Sequence, residues 1–200
     1  MNVPSREECF RILRDARVPA HIVAHSIQVS LVATLLVDLL KVRGLSLDRR
    51  LVEAAALLHD ITKSESLRTR ENHAITGARH VSDLGYPEVG AIVGQHVRLD
   101  EYFASETPAE AELVNYADKI VKHDRVVSMQ ERMEDILKRY AHTDEIRERI
   151  ELLINKSIEL ENRLFAVLSM TPGQLPPLLR REDFTEQLAA YNVLCAGRGP

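Results

Sequence analysis

An all-α fold follows from three features of this sequence. Apolar residues recur at helical spacing along most of the chain, and helix start and stop signals punctuate it. No stretch shows the apolar–polar alternation of a half-buried strand. The chain has 200 residues, 45% hydrophobic and 28% charged, which suits one domain with a substantial core.

Ser5-Arg6-Glu7-Glu8 forms a capping box, which predicts a first helix to about Arg17, with Pro19 breaking it. From His21 to Arg43, Ile22, Val29, Val32, Ala33, Leu36 and Leu40 keep helical register, and Gly44 is the stop. Ser46 or Asp48 caps the next helix, which carries Leu51, Ala54, Ala55, Leu58 and His59. Its second half is almost wholly apolar, so it is expected to be the central, most buried helix. After Lys63 a polar connection is expected through Arg70. A helix then runs from about Asn72 to Leu84, ends at Gly85, and is followed by another from Pro87 to His96.

Arg98 to Glu106 reads as a loop. Thr107-Pro108-Ala109-Glu110 supplies a Thr cap, a Pro at the first helical position and a Glu three on, for a helix through Asp118 to about Asp124. Ser128-Met129-Gln130-Glu131 opens the next, to about Ala141. Thr143 caps a long amphipathic helix to about Met170, whose stripe of Ile150, Leu153, Ile154, Leu160 and Leu164 is expected to pack onto the domain without site residues. A homodimer contact through that stripe is the lesser alternative. The Pro-rich Thr171–Pro177 tail breaks structure, a last helix spans Asp183 to Leu194, and Ala196 to Pro200 is expected to fray.

Lys plus Arg total 26 against 30 Asp plus Glu, a formal charge of −4, so no global field draws this chain to nucleic acid or an anionic membrane. Cys9 and Cys195 lie near opposite ends with no metal-ligand spacing. No signal-type stretch opens the chain, and no window is expected to reach the ~18 apolar residues of a membrane span. The expected compartment is a reducing cytoplasm.

Chemistry concentrates around Leu57-Leu58-His59-Asp60-Ile61-Thr62-Lys63, where an apolar helical run ends in an imidazole and a carboxylate. A His-Asp dipeptide alone is ordinary. Its company is not: His25, His73, His96 and Asp118 also fall on helix ends or faces that could converge. Such a set holds enough N and O donors for a two-metal centre, in which a carboxylate bridges ions about 3.5–4 Å apart. Histidine and aspartate without cysteine suit Mn, Fe, Co, Ni or Zn.

These pieces together resemble the HD superfamily of metal-dependent phosphohydrolases, in the form whose ligands run H…HD…H…H…D. His25 opens His25-Ser26-Ile27-Gln28-Val29, like the family's first-His helix. His59-Asp60-Ile61-Thr62-Lys63 resembles HDIGK, His73-Ala74-Ile75-Thr76-Gly77-Ala78 resembles H-x-x-x-G-A, and Ala117-Asp118-Lys119-Ile120 resembles A-D-K/R-I. Gly85-Tyr86-Pro87 spells the GYP of cyclic-di-GMP phosphodiesterases, but it precedes His96 as a plain helix-to-helix turn.

The resemblance implies a single HD-type helical bundle over residues 1–200, with a core at about 20–125 and a C-terminal helical extension at about 128–194. It assigns His25, His59, Asp60 and Asp118 to one divalent ion. Asp60 bridges to a second ion held by His73 and His96, and a metal-bound water is the nucleophile. Asp60 and Lys63 are then the catalytic pair, with Lys63 a point charge for substrate phosphate. Thr62 stands where the signature has Gly; a β-branched residue enters left-handed backbone only at a cost, and its hydroxyl offers a polar contact.

Arg98, just after His96, is a further phosphate-binding candidate. His21, four residues before His25 on the same face, is another, against the plainer reading of an exposed histidine. His80 and the Lys122–Arg125 cluster read as surface groups. The implied substrate is a small phosphorylated molecule, with a nucleotide first in line. HD-type di-iron oxygenases and non-catalytic regulatory HD modules are the alternatives that share the pattern.

Overall fold

The computed structural model describes residues 2–103 and 105–197. The chain is an all-α bundle: α1 (Arg6–Asp15), α2 (Ala20–Val42), α3 (Arg49–Leu58), α4 (Lys63–Thr69), α5 (His73–Asp83), α6 (Pro87–Val93) and α7 (Glu110–Ile120), followed by α8 (Met129–Tyr140), α9 (Asp144–Leu168) and α10 (Arg181–Ala196). A minimal antiparallel hairpin, β1 (Val121–Lys122) and β2 (Arg125–Val126), joins α7 to α8.

The capping signals of α1 and α3 act as read, whereas Thr107 does not cap α7, whose N-cap is Ala109. The Ser5 hydroxyl accepts from the Glu8 N–H and the Glu8 carboxylate accepts from the Ser5 N–H. Asp48, rather than Ser46, caps α3 by accepting from the Arg50 and Leu51 N–H groups. Gly44 and Gly85 take positive φ, +86° and +93°, at the ends of α2 and α5, a backbone that a Cβ would strain.

The core is centred on α2, which packs along α3 and α7. By length and composition α2 could cross a membrane, contrary to the sequence expectation that no window does, but 72% of that stretch is buried inside the bundle. Its apolar character serves the core. Every α3 side chain from Ala54 to Leu58 is buried, as its sequence pattern requires. Truncating one such leucine to alanine typically costs about 2–5 kcal/mol, well beyond any helix-propensity effect. The C-terminal helices close over this core: α10 packs on α1 and α2, with the Phe10 and Tyr191 rings edge-on at 5.7 Å. The Tyr116 hydroxyl donates to Glu161 at 2.7 Å, tying α9 to α7.

Several expected boundaries move. Lys63–Thr69 is helical rather than a polar connection, because the Thr62 carbonyl accepts from the Ser66 N–H and a buried Ser66 hydroxyl meets Thr76. The helix expected from Thr107 starts at Glu110, where Glu112 accepts from the Ala109 N–H. It ends at Ile120 rather than Asp124, since the chain turns into the hairpin with His123 at φ +58°. The helix expected to reach His96 stops at Val93, leaving His96 in the turn beyond it. The Pro-rich tail forms two 3₁₀ turns, Pro172–Gln174 and Pro176–Leu178. Of the end expected to fray, Ala196 closes α10 and residues 198–200 lie outside the described residues.

Two outcomes test this packing. A Cβ on Gly90 would come within 2.7 Å of the Ala78 carbonyl and 2.3 Å of the Ser82 hydroxyl, and α5 and α6 touch there backbone to backbone. Gly90→Ala should lower the unfolding free energy by about 1–3 kcal/mol in urea titration. Both cysteines are free, but Cys9 is buried in α1 with its thiol pushed up to about 12 by burial and then by Glu53 and Glu8, while Cys195 is half-buried. A colourless disulfide reagent that releases a coloured thiol should label Cys195 rapidly in native protein, with Cys9 reacting only after denaturant is added.

Candidate metal centre

Six side chains meet where helix ends converge. α2 carries His25. His59 caps the C-terminal end of α3, with Asp60 in the turn that follows, and α5 begins at His73. His96 lies just past α6, and Asp118 occupies the last turn of α7. The turn after α3 is fixed by two backbone bonds, Ile61 N–H to Leu58 O at 3.1 Å and Lys63 N–H to Asp60 O at 3.0 Å. Asn72 caps α5 through the Ala74 N–H and so orients His73 at its first turn.

Asp60, 1% exposed, faces the others with both carboxylate oxygens. Its Oδ1 lies 3.3 Å from His73 Nε2 and 3.6 Å from His96 Nε2, while its Oδ2 lies 3.4 Å from His59 Nε2 and 4.0 Å from His25 Nε2. Asp118 Oδ1 lies 3.1 Å from His25 Nε2 and 3.6 Å from His59 Nε2. His73 and His96 point their Nε2 atoms at each other across 3.0 Å. His25, His59 and Asp118 form one group whose donor atoms lie within 4.8 Å of one another, and His59, Asp60 and His96 form a second.

Backbone carbonyls set which imidazole nitrogen is available. His25 Nδ1 is 2.8 Å from the His123 carbonyl, His59 Nδ1 is 2.7 Å from that of Ala56, and His96 Nδ1 is 2.7 Å from that of Val93. A carbonyl only accepts, so each Nδ1 carries hydrogen and each Nε2 turns inward as a potential donor to metal.

Charge balance points the same way. Burial on its own raises Asp60, but His59, then His73 and His96, outweigh it and hold the carboxyl well below its usual range. Burial raises Asp118 as well, and Lys119 with His25 and His59 holds it low. Burial works to strip the His59 proton, yet Asp60 and Asp118 push that imidazole up to about 10. At His96 burial prevails, with the His59 charge reinforcing it against Asp60, and takes the ring down to about 4. Two buried carboxylates thus demand positive charge at a point where His59 Nε2 and Asp60 Oδ1 are buried and, among the described residues, lack any hydrogen-bond partner. Orphaned donors of this kind, buried at such cost, fit a divalent cation better than a proton.

Surrounding groups hold this arrangement. Lys63 Nζ donates to Asp60 Oδ2 at 2.6 Å, and Lys119 Nζ donates to Asp118 Oδ2 at 2.9 Å and to the His96 carbonyl at 3.0 Å. Burial acts against the Lys63 ammonium, but Asp60 and Asp118 outweigh it and keep it charged. Buried Asn115 donates to the Gln95 and His96 carbonyls, at 3.1 and 2.9 Å. Thr62 sits at φ −102°, so its position asks for no left-handed backbone. Its hydroxyl donates to the His73 carbonyl at 3.1 Å and meets the Thr76 hydroxyl at 2.8 Å, which ties the turn after Asp60 to the helix bearing His73.

Two cavities open on either side. One, of about 330 Å³, reaches His25 and Asp60 and is walled by His21, Lys63, Lys122, Arg132, Arg139 and Tyr140. The other, of about 250 Å³, reaches His73, His96 and Asp118. Its outer wall is supplied by α8 and α9, and Lys63, Arg132 and Tyr140 border both spaces. The long C-terminal helix therefore brings Ile150, Leu153 and Ile154 to the site, where the sequence suggested that it lacked any part.

His21 is exposed at the mouth of the first cavity, whereas Arg98 is exposed and borders neither. Among the described residues of the Arg98–Glu106 loop, 98–103 and 105–106, none lines either space. Lys122 and His123 line the first cavity, where a solvated helix end was expected; His80 is a surface residue. Arg132, Arg139 and Tyr140 were not singled out from sequence. Their only signal is the seven-residue spacing of the two arginines, which a solvated helix face shows equally.

The aligned stretch of a tRNA (cytidine(56)-2'-O)-methyltransferase from Picrophilus torridus is 27% identical to this chain over 158 residues, covering 72% of the chain and 44% of that protein. The chain thus spans less than half the length of that curated relative. No solved structure matches it. The HD domain family matches residues 22–122, a stretch that contains His25, His59, Asp60, His73, His96 and Asp118. By that match across half its length, and by the buried His/Asp cluster it encloses, the chain belongs to the HD domain family.

Proposed function

We propose that this protein is a metal-dependent phosphohydrolase that cleaves a phosphoester or phosphoanhydride of a nucleotide or other small phosphometabolite. The observation that carries the reading is Asp60, whose two oxygens face different histidine sets beside a cavity rich in cationic side chains. In this reading His25, His59, Asp60 and Asp118 hold one divalent ion, and Asp60, His73 and His96 hold a second. When bound, such ions supply Lewis acidity toward a phosphoryl oxygen and acidify water.

The chain's own residues do the rest. Lys63, whose ammonium already lies against Asp60, gives a substrate phosphate a positive partner at the border of both cavities. The carbonyls of Ala56, Val93 and His123 keep His59, His96 and His25 in the donor tautomer. Asn115 and Lys119 hold the His96 backbone, and α8 with α9 supply the outer wall of the second cavity. The tRNA in the Picrophilus torridus protein's name belongs to a chain matched over 44% of its length, and a net charge of −4 gives no general attraction for RNA here.

Purified protein reconstituted with Mn²⁺ should bind about two ions per chain and hydrolyse a generic aryl phosphate; absence of metal in every preparation, with no divalent ion restoring turnover, would sink the assignment. Oxygen consumption by an iron-loaded sample, without phosphate release, would instead identify an oxygenase.

Substitutions separate the roles. Asp60→Asn should lose both ions and activity together, and His73→Ala or His96→Ala chiefly the second ion. Lys63→Ala should retain metal by elemental analysis while kcat/KM falls about 10- to 100-fold. Full metal and turnover in Asp60→Asn would refute the ligand assignment.

A further inference from the structure

Nothing in the metal cluster itself says which phosphate compound the cleft accepts, but the two cavities beside it differ sharply in chemistry. The first brings Lys63, Lys122, Arg132 and Arg139 together, with His21 at its mouth. Asp135 holds this group in place: it lies 3.7 Å from Lys122, 3.3 Å from Arg132 and 3.0 Å from Arg139, while Glu131 lies 3.5 Å from Lys122. These two carboxylates offset only part of the charge. The Arg132 Nε is buried and, among the described residues, has no hydrogen-bond partner. An orphaned guanidinium nitrogen in a cationic pocket is matched by an incoming anionic oxygen.

The second cavity is walled by Val97, Met133, Ile136, Ile150, Leu153 and Ile154. Its polar lining apart from the metal cluster and the residues at the border is Ser157, whose hydroxyl already donates to the Leu153 carbonyl at 2.9 Å, and Lys119, whose ammonium already donates to Asp118 at 2.9 Å and to the His96 carbonyl at 3.0 Å. A nucleobase buried there would leave its ring nitrogens and exocyclic groups without partners, which costs about 1–3 kcal/mol for each unsatisfied group. An aliphatic chain incurs no such penalty and gains about fourfold in affinity per methylene removed from water. Lys63, Arg132 and Tyr140 stand at the junction, where a ligand with one anionic and one apolar end lies across the Asp60 side of the cluster.

We infer that the cleft takes a phosphate monoester of an apolar, aliphatic alcohol, with the phosphate among Lys63, Arg132 and Arg139 and the alkyl group between α8 and α9. This rests on the phosphohydrolase reading and narrows its substrate class. In the step, water's oxygen bonds to phosphorus, and the bond between phosphorus and the alkyl oxygen breaks with its electron pair. The departing oxygen receives the water's proton, so alkyl phosphate and water become alcohol and inorganic phosphate. Arg132 and Arg139 act as specificity-determining contacts for the anion, and Ile136, Leu153 and Ile154 for the chain.

The test uses the full chain reconstituted with Mn²⁺ and two readouts. Hydrolysis is followed for methyl, butyl and hexyl phosphate, with glycerol phosphate and a nucleoside 5′-monophosphate as polar comparators. Binding of methylphosphonate and hexylphosphonate, which lack the scissile ester, is measured by calorimetry. Both kcat/KM and affinity should climb by up to about fourfold per methylene until the apolar cavity is filled.

Ile154→Ser should flatten that slope, and Ile150→Ser, one turn earlier on α9, repeats the test should the first variant unfold. Arg132→Gln should weaken both phosphonates by a similar factor, about tenfold or more. A flat chain-length series, or a nucleoside monophosphate preferred over hexyl phosphate, overturns the inference while leaving the phosphohydrolase standing. Conversely, if no phosphoester is hydrolysed with any divalent ion yet hexylphosphonate binds with a slope that Ile154→Ser removes, the hydrolase reading fails and the ligand class holds.

Discussion

The burial of the Asp60 carboxylate is the constraint on which the rest of this architecture depends. A carboxylate 1% exposed inside an apolar bundle is unfavourable by several kcal/mol unless positive or hydrogen-donating groups surround it. Asp60 cannot retreat to solvent, because it sits in the tight turn that ends α3, the most completely buried helix end in the fold. Every neighbour is therefore recruited toward it: Lys63 from the first turn of α4, His73 from that of α5, His59 from the end of α3 and His96 from beyond α6. Replacing this anion by an apolar residue would leave the Lys63 ammonium and the charged His59 ring without their shared buried partner, and would remove the charge on which these helices converge.

Helix termini solve a second problem at no extra structural cost. The last carbonyls of a helix have no partner within it. At the ends of α3 and α6 the carbonyls of Ala56 and Val93 are satisfied by the Nδ1 atoms of His59 and His96, each three residues further on. One hydrogen bond thus closes the helix and fixes the tautomer that turns Nε2 inward. His25 lies within α2 and has no such carbonyl to use, so its partner comes from the β1–β2 hairpin, where His123 adopts φ +58°. The small strand pair is in that sense part of the site, since it delivers a carbonyl to a histidine 98 residues away in sequence.

What could be read from sequence follows the same division. The α1, α3 and α9 caps, the Gly44 and Gly85 stops and the buried face of α3 are local, and their signals are strong. The convergence of His25, His59, Asp60, His73, His96 and Asp118 is non-local; spacing showed only that the donors exist, and the family resemblance supplied their grouping. The hairpin at 121–126 was invisible because strands of two residues have no period to detect. Helix α4 was missed because Lys63-Ser64-Glu65-Ser66-Leu67-Arg68-Thr69 has no apolar stripe and is held by hydroxyl contacts to Thr76. Thr62 looked foreign to its motif only on the assumption of a left-handed turn, and its φ of −102° removes that assumption.

The residues missed altogether lie on α8 and α9, and the reason bears on how the cleft works. Met129-Gln130-Glu131-Arg132-Met133-Glu134-Asp135-Ile136 reads as an ordinary amphipathic helix with a charged outer face. Only its placement against the cluster turns Arg132 inward, and only the packing of α9 beside it turns Ile150, Leu153 and Ile154 into a wall. All of these residues fall after the stretch that matches the HD domain family, residues 22–122, whereas every His/Asp donor falls within it. The His/Asp cluster and the α8–α9 walls of the cavities beside it are thus encoded in consecutive parts of the chain and meet at Lys63, Arg132 and Tyr140. Changes on the cavity-facing sides of α8 and α9 can then alter the shape and charge of the cleft while the buried carboxylates keep their partners, because polar contacts between the two parts, such as Tyr116 to Glu161 and Lys122 to Glu131 and Asp135, involve neither Asp60 nor Asp118.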